Sequence, residues 1–306
     1  MTDAASTVVL APAKLNLSLY VGPVTRNGLH SIASIFQPID LCDRISISHS
    51  SEDEVICEGI EGQDLTARAL ASLREKGLSL PALRIEVEKR IPVAAGMGGG
   101  SADAAAVLRY ARALLGEESV PVLREAALEI GSDVLAQSGL WSSQPERSEA
   151  LRSLVTGVGD EVSAAPPGDP FAAVLLTSDR GLSTPEVYEK ADRLGSGRTA
   201  PELQGIAESL RFGSAGLPMV PVEAMVNDLQ EAACSLRPEL ESKRSALLGA
   251  GAVCALVTGS GPTVFGVFPS REEADRAAEA LASDQPDSGV FVVQPLDERS
   301  PAEVAE

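Results

Sequence analysis

The run Ile91-Pro92-Val93-Ala94-Ala95-Gly96-Met97-Gly98-Gly99-Gly100-Ser101-Ala102-Asp103-Ala104-Ala105-Ala106 places four glycines in five positions. Glycine lets a backbone approach a ligand closely and take φ > 0 without strain. Ahead of the run, Leu83 to Glu88 alternates apolar and polar residues as a half-buried strand does; behind it, Ala104 to Leu108 favours helix. Strand, glycine loop and helix in that order gather free N–H groups and the positive end of a helix dipole, which suits a phosphate. Ser101 stands where an N-cap is expected. The loop matches neither G-x-x-x-x-G-K-[ST] nor a G-x-G-x-x-G followed by an acidic residue about 20 positions on.

Other residues could share that chemistry. Lys14 and Asn16 lie in Ala13-Lys14-Leu15-Asn16-Leu17-Ser18-Leu19-Tyr20-Val21, whose period of two puts Lys14, Asn16 and Ser18 on one face. A lysine there is ordinarily solvated, but beside a reacting hydroxyl its ammonium would steady a transferring phosphoryl group. Asp133, in Ile130-Gly131-Ser132-Asp133-Val134, falls between two helical stretches, where an aspartate is ordinarily a cap. Set beside Lys14, it would be a base for a substrate hydroxyl. Thr258-Gly259-Ser260-Gly261-Pro262 is a second glycine loop between strands, and reads equally as a hairpin turn. His30 follows the turn signal Arg26-Asn27-Gly28, and either meets a ligand or caps a strand.

The elements that must hold these residues follow from the same patterning. Val8 to Val21, Ile32 to Ile39 and Arg44 to Ser48 read as strands, Gln63 to Gly77 as an amphipathic helix, and Val120 to Leu135 as one or two short helices. Ser138 to Ser148 is polar and loop-like, and Ala164 to Pro170 is the best domain boundary. Beyond it come a buried strand from Phe171, a helix from Thr184 (N-cap) and Pro185, several helices to about Leu248, and strands at Val253–Val257, Val264–Phe268 and Val290–Val293. A helix at Glu272–Leu281 completes a split α+β sandwich.

The 306 residues suffice for two domains, and the 44% hydrophobic content supports a sizeable core. A net charge of -19 argues against nucleic-acid or anionic-membrane partners and leaves phosphate binding to local donors. Cys42, Cys57, Cys234 and Cys254 lack metal-ligand spacing and read as buried thiols. With no signal peptide and no apolar run of about 18 residues, the expected location is the cytoplasm.

In order along the chain, these pieces resemble the GHMP kinase superfamily, and within it the family that phosphorylates 4-diphosphocytidyl-2-C-methyl-D-erythritol. Ala11-Pro12-Ala13-Lys14-Leu15-Asn16-Leu17 matches its opening motif, and Asn27-Gly28-Leu29-His30 resembles D-G-Y-H. Pro92 to Ala106 matches P-x-x-x-G-(L/M)-G-G-G-S-(S/A)-(D/N)-A-A, and Gly131-Ser132-Asp133-Val134 matches G-(A/S)-D-V. Gly181 to Tyr188, Asn227-Asp228-Leu229 and Thr258 to Thr263 match its later motifs.

The resemblance implies an α+β, two-domain GHMP kinase fold: a ribosomal-protein-S5-like ATP-binding domain over 1–165 and a ferredoxin-like, substrate-binding α/β sandwich over 166–306. It implies ATP held by Pro92, Ala94, Ala95, Gly96, Met97, Gly98, Gly99, Gly100, Ser101 and Ala102, and Mg2+ with Ser101 as a ligand. Asp133 would take the proton of the substrate 2-hydroxyl, and Lys14 would orient Asp133 and lower the hydroxyl pKa. His30 would read the cytosine edge, Tyr188 would stack on the ring, and Asn16 would touch the methylerythritol. Thr184, Gly259, Ser260 and Gly261 complete the expected substrate wall. The chain would act on small molecules as a monomer or homodimer.

Four departures stand out. Leu29 replaces a tyrosine of the cytosine clamp, Leu135 replaces a proline, and Asp64-Leu65 replaces Asn-Leu near the adenine. Ser138 to Ser153 is longer and more polar than the family's apolar strand, so distortion behind Asp133 is expected. Two other readings fit fewer residues: a degenerate paralogue that binds without turnover, and a GHMP kinase with another small alcohol substrate.

Overall fold

In the computed structural model, residues 6–57, 64–142, 152–168, 170–212, 225–285 and 288–296 are described. A long antiparallel hairpin organises the first half. Its arms are β1 (Thr7–Val24) and β2 (His30–His49). The far edge of β2 carries β4 (Leu83–Glu88) beside its C-terminal part and β5 (Ser153–Thr156) beside Ser34–Phe36. Outside these lie β3 (Glu54–Cys57) and β6 (Glu161–Ala164), giving the order β3-β4-β2-β5-β6 with β1 on the other edge of β2.

The two strands expected at Ile32–Ile39 and Arg44–Ser48 are therefore one. Pro38, which has no N–H to donate, sits opposite Lys14, where the β1–β2 register shifts between Pro12 and Lys14. An irregular position of this kind admits a proline without ending the strand. The polar face of β1, where a lysine is ordinarily solvated, is not solvated here: Ala11 to Gly22 is buried on both faces. Helices α1 (Leu65–Glu75), α2 (Gly99–Leu115), α3 (Val120–Ile130) and α4 (Ser132–Ser138) accompany this sheet. Ile45, Ile47, Leu83 and Ile85 share a core with Ala105, Val107 and Leu108 of α2.

The second half holds β7 (Ala172–Leu176), β8 (Cys254–Val257), β9 (Val264–Phe268) and β10 (Val290–Val293) in the spatial order β10-β7-β9-β8, all antiparallel. Counted within this half, that is 4-1-3-2, the ferredoxin-like arrangement. Its helices are α5 (Thr184–Leu194), α6 (Ala200–Phe212), α7 (Gln230–Leu236), α8 (Glu239–Gly249) and α9 (Arg271–Asp284). Alternation along the strands splits the packing. Val174, Leu176, Val257 and Val264 share a core with Leu240, Leu247 and Leu281 of α8 and α9. Ala173, Leu175, Phe265 and Val267 share another with Leu15, Leu17, Ile35 and Ile39 of the first sheet. The halves thus have a common core. The backbone joins them too, with Leu19 N–H donating to Val226 O at 2.7 Å and Asp228 N–H to Leu19 O at 2.9 Å.

Two expected caps are corrected. Helix α2 starts at Gly99 with left-handed Gly98 (φ 71°) as its N-cap, so Ser101 lies inside the first turn. Helix α5 has Ser183 as N-cap, and Thr184 is its first residue. Of the polar stretch Ser138 to Ser148, Ser138 is buried at the end of α4, and residues 143–148 lie outside the described residues.

Candidate active site

The glycine loop leaves β4 and enters α2 through three left-handed positions, Ala94 (φ 55°), Gly96 (φ 77°) and Gly98 (φ 71°). Close approach explains two of the glycines. A Cβ on Gly96 would stand 2.4 Å from the carbonyl oxygen of Gly261, and one on Gly98 would stand 2.7 Å from Oε1 of Gln137. No side chain caps α2, so its first-turn amides have no acceptor within the helix. A cleft of about 350 Å³ lies over them, lined by Pro92 to Ser101 together with Asp64, Leu65, Lys89 and Asp103. Ala102 is fully buried just behind this lining, and its N–H donates to Gly98 O at 2.8 Å. Free amides, a helix N-terminus and close backbone approach fit a polyphosphate.

Strand β1 brings Lys14 to the same place. Its N–H donates to Met97 O at 3.0 Å, tying the strand to the loop. Its side chain is 5% exposed. The ammonium donates to Asn16 Oδ1 at 2.6 Å, lies 3.6 Å from Asp133 Oδ2 and stands 4.5 Å over the Phe36 ring. Burial pulls this ammonium below its ordinary value, and Asp133 works against that pull. Asp133 is the second residue of α4, and its carboxylate is about one-third exposed, open to a substrate on one side and to Lys14 on the other. The Lys–Asp pair expected from the sequence is thus assembled.

The second glycine loop closes the arrangement. Asn16 N–H donates to Thr258 Oγ1 at 3.1 Å, and Asn16 Nδ2 to Ser34 Oγ at 2.9 Å. A Cβ on Gly259 (φ 57°) would meet Gly96 O, Asn16 Oδ1 and Lys14 Nζ at 3.3 to 3.7 Å. Ser260 Oγ and Thr184 Oγ1 are 2.8 Å apart, linking this loop to α5. Further along α5, Tyr188 lies beside His30, with ring centroids 5.1 Å apart and planes tilted by 31°. His30 Nδ1 is 3.0 Å from Gly22 O, and Nε2 is 3.3 Å from Asp192 Oδ2. Burial, and then Asp133, push the Tyr188 hydroxyl up to about 12. Leu29 is more than half exposed beside them.

Several contacts escaped the sequence reading, although Asn227 and Asp103 stand in its motifs. Asn227 Nδ2 donates to Val257 O at 2.7 Å and Gly259 O at 2.8 Å, which holds the second loop in place. Lys89 Nζ donates to both Asp43 Oδ2 and Asp103 Oδ2. This buried triad joins β2, the start of the loop and α2 just beyond its first turn. The other oxygen of Asp43 accepts from Ile91 N–H at 2.8 Å. Burial pushes the Asp103 carboxyl up, against the pull of Lys89. Gln137, one helical turn beyond Asp133, donates from Nε2 to Pro12 O at 3.1 Å. Spacing could not pair these residues, because their partners lie far off in the chain.

A phosphate loop facing a Lys–Asp pair, on two sheets with a shared core, defines a GHMP kinase. Residues 64–142 match the family described as GHMP kinases N terminal domain, and residues 219–287 match GHMP kinases C terminal. The 4-diphosphocytidyl-2-C-methyl-D-erythritol kinase of Streptomyces coelicolor is 37% identical over 290 residues, covering 91% of this chain and 93% of the relative. That of Streptomyces avermitilis is 36% identical over 284 residues, covering 90% and 92%. A crystal structure of 4-(cytidine 5'-diphospho)-2C-methyl-D-erythritol kinase superposes with a TM-score of 0.71 at 30% identity, covering 94% of this chain and 98% of that one. A homoserine kinase from Cytophaga hutchinsonii shares the fold, with a TM-score of 0.68 at 20% identity and coverage of 97% and 98%. At this identity and coverage, the chain belongs to the 4-diphosphocytidyl-2-C-methyl-D-erythritol kinase family.

Proposed function

We propose that the protein phosphorylates the 2-hydroxyl of 4-diphosphocytidyl-2-C-methyl-D-erythritol with ATP, in the non-mevalonate route to isoprenoid precursors. The observation that carries this reading is the meeting of Lys14, Asp133 and both glycine loops at one point. Asp133 accepts the hydroxyl proton as that oxygen bonds to phosphorus, and the displacement runs in line without a covalent enzyme intermediate. Lys14 holds the Asp133 carboxylate and offsets charge developing on the transferring group. The first-turn amides of α2 bind the nucleotide phosphates. Asn16 touches the methylerythritol, His30 reads the cytosine edge and Tyr188 stacks on it. Gly259 to Gly261 and Thr184 close over the diphosphate.

Mg2+ belongs to the same reading. Among the described residues no group of three His, Cys, Asp or Glu could hold a metal ion, and Asp103 is engaged by Lys89. Such a donor set suits a cation carried in by the nucleotide phosphates, with the Ser101 hydroxyl as a protein ligand. When bound, the cation neutralises phosphate charge. In this account residues 1–165 carry the nucleotide and 166–306 close over the substrate. The chain works in the cytoplasm on small molecules, as a monomer or homodimer. Incubation with ATP, Mg2+ and, separately, the cytidylyl substrate, homoserine and mevalonate tests the reading. ADP release with the first alone supports it; release with either of the others alone contradicts it.

A further inference from the structure

Gln137 has a role that the phosphoryl-transfer reading leaves unassigned. It lies four residues after Asp133 on α4, so both side chains leave the same face of that helix. It is 6% exposed. The bond from Nε2 to Pro12 O fixes which way the carboxamide points. Its Oε1 is buried and has no hydrogen-bond partner among the described residues. A buried acceptor without a donor is costly, so a donor that can reach it is expected.

The neighbouring donor is the Lys14 ammonium. Both residues line one small cavity with Pro12, Phe36 and Ala136. They also flank one point from two sides: a Cβ on Gly98 would stand 2.7 Å from Gln137 Oε1 and 3.3 Å from Lys14 Cε. Glycine at 98 keeps the space between them open. At rest the ammonium has Asn16, Asp133 and the Phe36 ring for partners. Asp133 is the titratable group it faces, and Tyr188 lies beyond Asp133.

We propose that Gln137 is a positioning residue for Lys14, and that its Oε1 accepts a hydrogen bond from the ammonium when Asp133 accepts the substrate proton and its charge is lost. The ammonium keeps all its protons; only its hydrogen-bond partner changes. The proposal rests on the reading of Asp133 as base.

Steady-state kinetics of Q137M, Q137E and D133N in the full chain test it. Q137M keeps the length and loses the acceptor: kcat falls about tenfold, and both KM values stay within about twofold. The alkaline limb of its kcat profile moves to lower pH, because the ammonium has lost an acceptor. Q137E keeps an acceptor, so kcat stays within about threefold and the alkaline limb moves up. Wild-type kcat and an unmoved limb in Q137M overturn the proposal. Should Q137M fail to fold, an unmoved limb in Q137E overturns it. Wild-type turnover in D133N overturns the base reading, and with it the proposal, whatever Gln137 shows.

Discussion

Lys14 can serve an anionic reaction because two effects on its charge oppose each other. Burial disfavours the ammonium, while Asp133 favours it, and Asn16 and Asp133 hold its direction. The pair was legible in the sequence because each member sits in a dense local motif. The contacts of Lys89, Asp43, Asp103 and Gln137 were not, because a single polar residue says nothing about a partner far away in the chain. The exchange of tyrosine for Leu29 belongs to the same scale. Leu29 is exposed beside His30 and offers no ring face to a base. Stacking is worth about 1–3 kcal/mol per base. L29Y is therefore expected to lower the KM for the cytidylyl substrate by roughly fivefold to a hundredfold, with kcat little changed. Initial rates against substrate concentration read this, and an unchanged KM would mean that the base is clamped elsewhere.

The two glycine loops act as one element. Gly96 packs against the backbone of Gly261 and Thr258, so the phosphate loop leans on the loop that closes the other side. Asn227 anchors the second loop and the Lys89 triad anchors the first. G96A would set a methyl group against the Gly261 carbonyl at a left-handed φ, and neither loop can yield without moving an anchor. A loss of about 1–3 kcal/mol of stability is expected, with a KM for ATP raised roughly tenfold or more. Thermal unfolding and initial rates measure both; wild-type values would show the loops to be independent. Strand, loop and helix around Gly96 were legible from patterning, whereas the N-cap was not. Serine usually caps, but Gly98 reaches the left-handed region more easily and starts α2 three residues before Ser101. The single strand β2 was hidden for a related reason: Pro38 reads locally as a break, yet it falls opposite an irregular position of β1.

At the scale of the molecule, the shared core decides how the halves behave. Leu15, Leu17, Ile35 and Ile39 pack with Ala173, Leu175, Phe265 and Val267, so the site is built on a joint rather than across a free hinge. The proline-rich stretch at Ala164 to Pro170 marks the change of sheet, but composition could not show that one core crosses it. F265A is expected to cost about 3–5 kcal/mol, and the chain to unfold in one transition before and after the change. Calorimetry checks this; two separate transitions in the wild-type chain would contradict a common core. The two sheets, joined through their shared core, bring β1, α4 and two loops within a few ångströms of each other. The measurement that tests this account most directly is turnover by D133A with the cytidylyl substrate, alongside its affinity for ATP. The account predicts a kcat lower by about 10²- to 10⁴-fold with ATP affinity nearly intact. Wild-type turnover in D133A would contradict it.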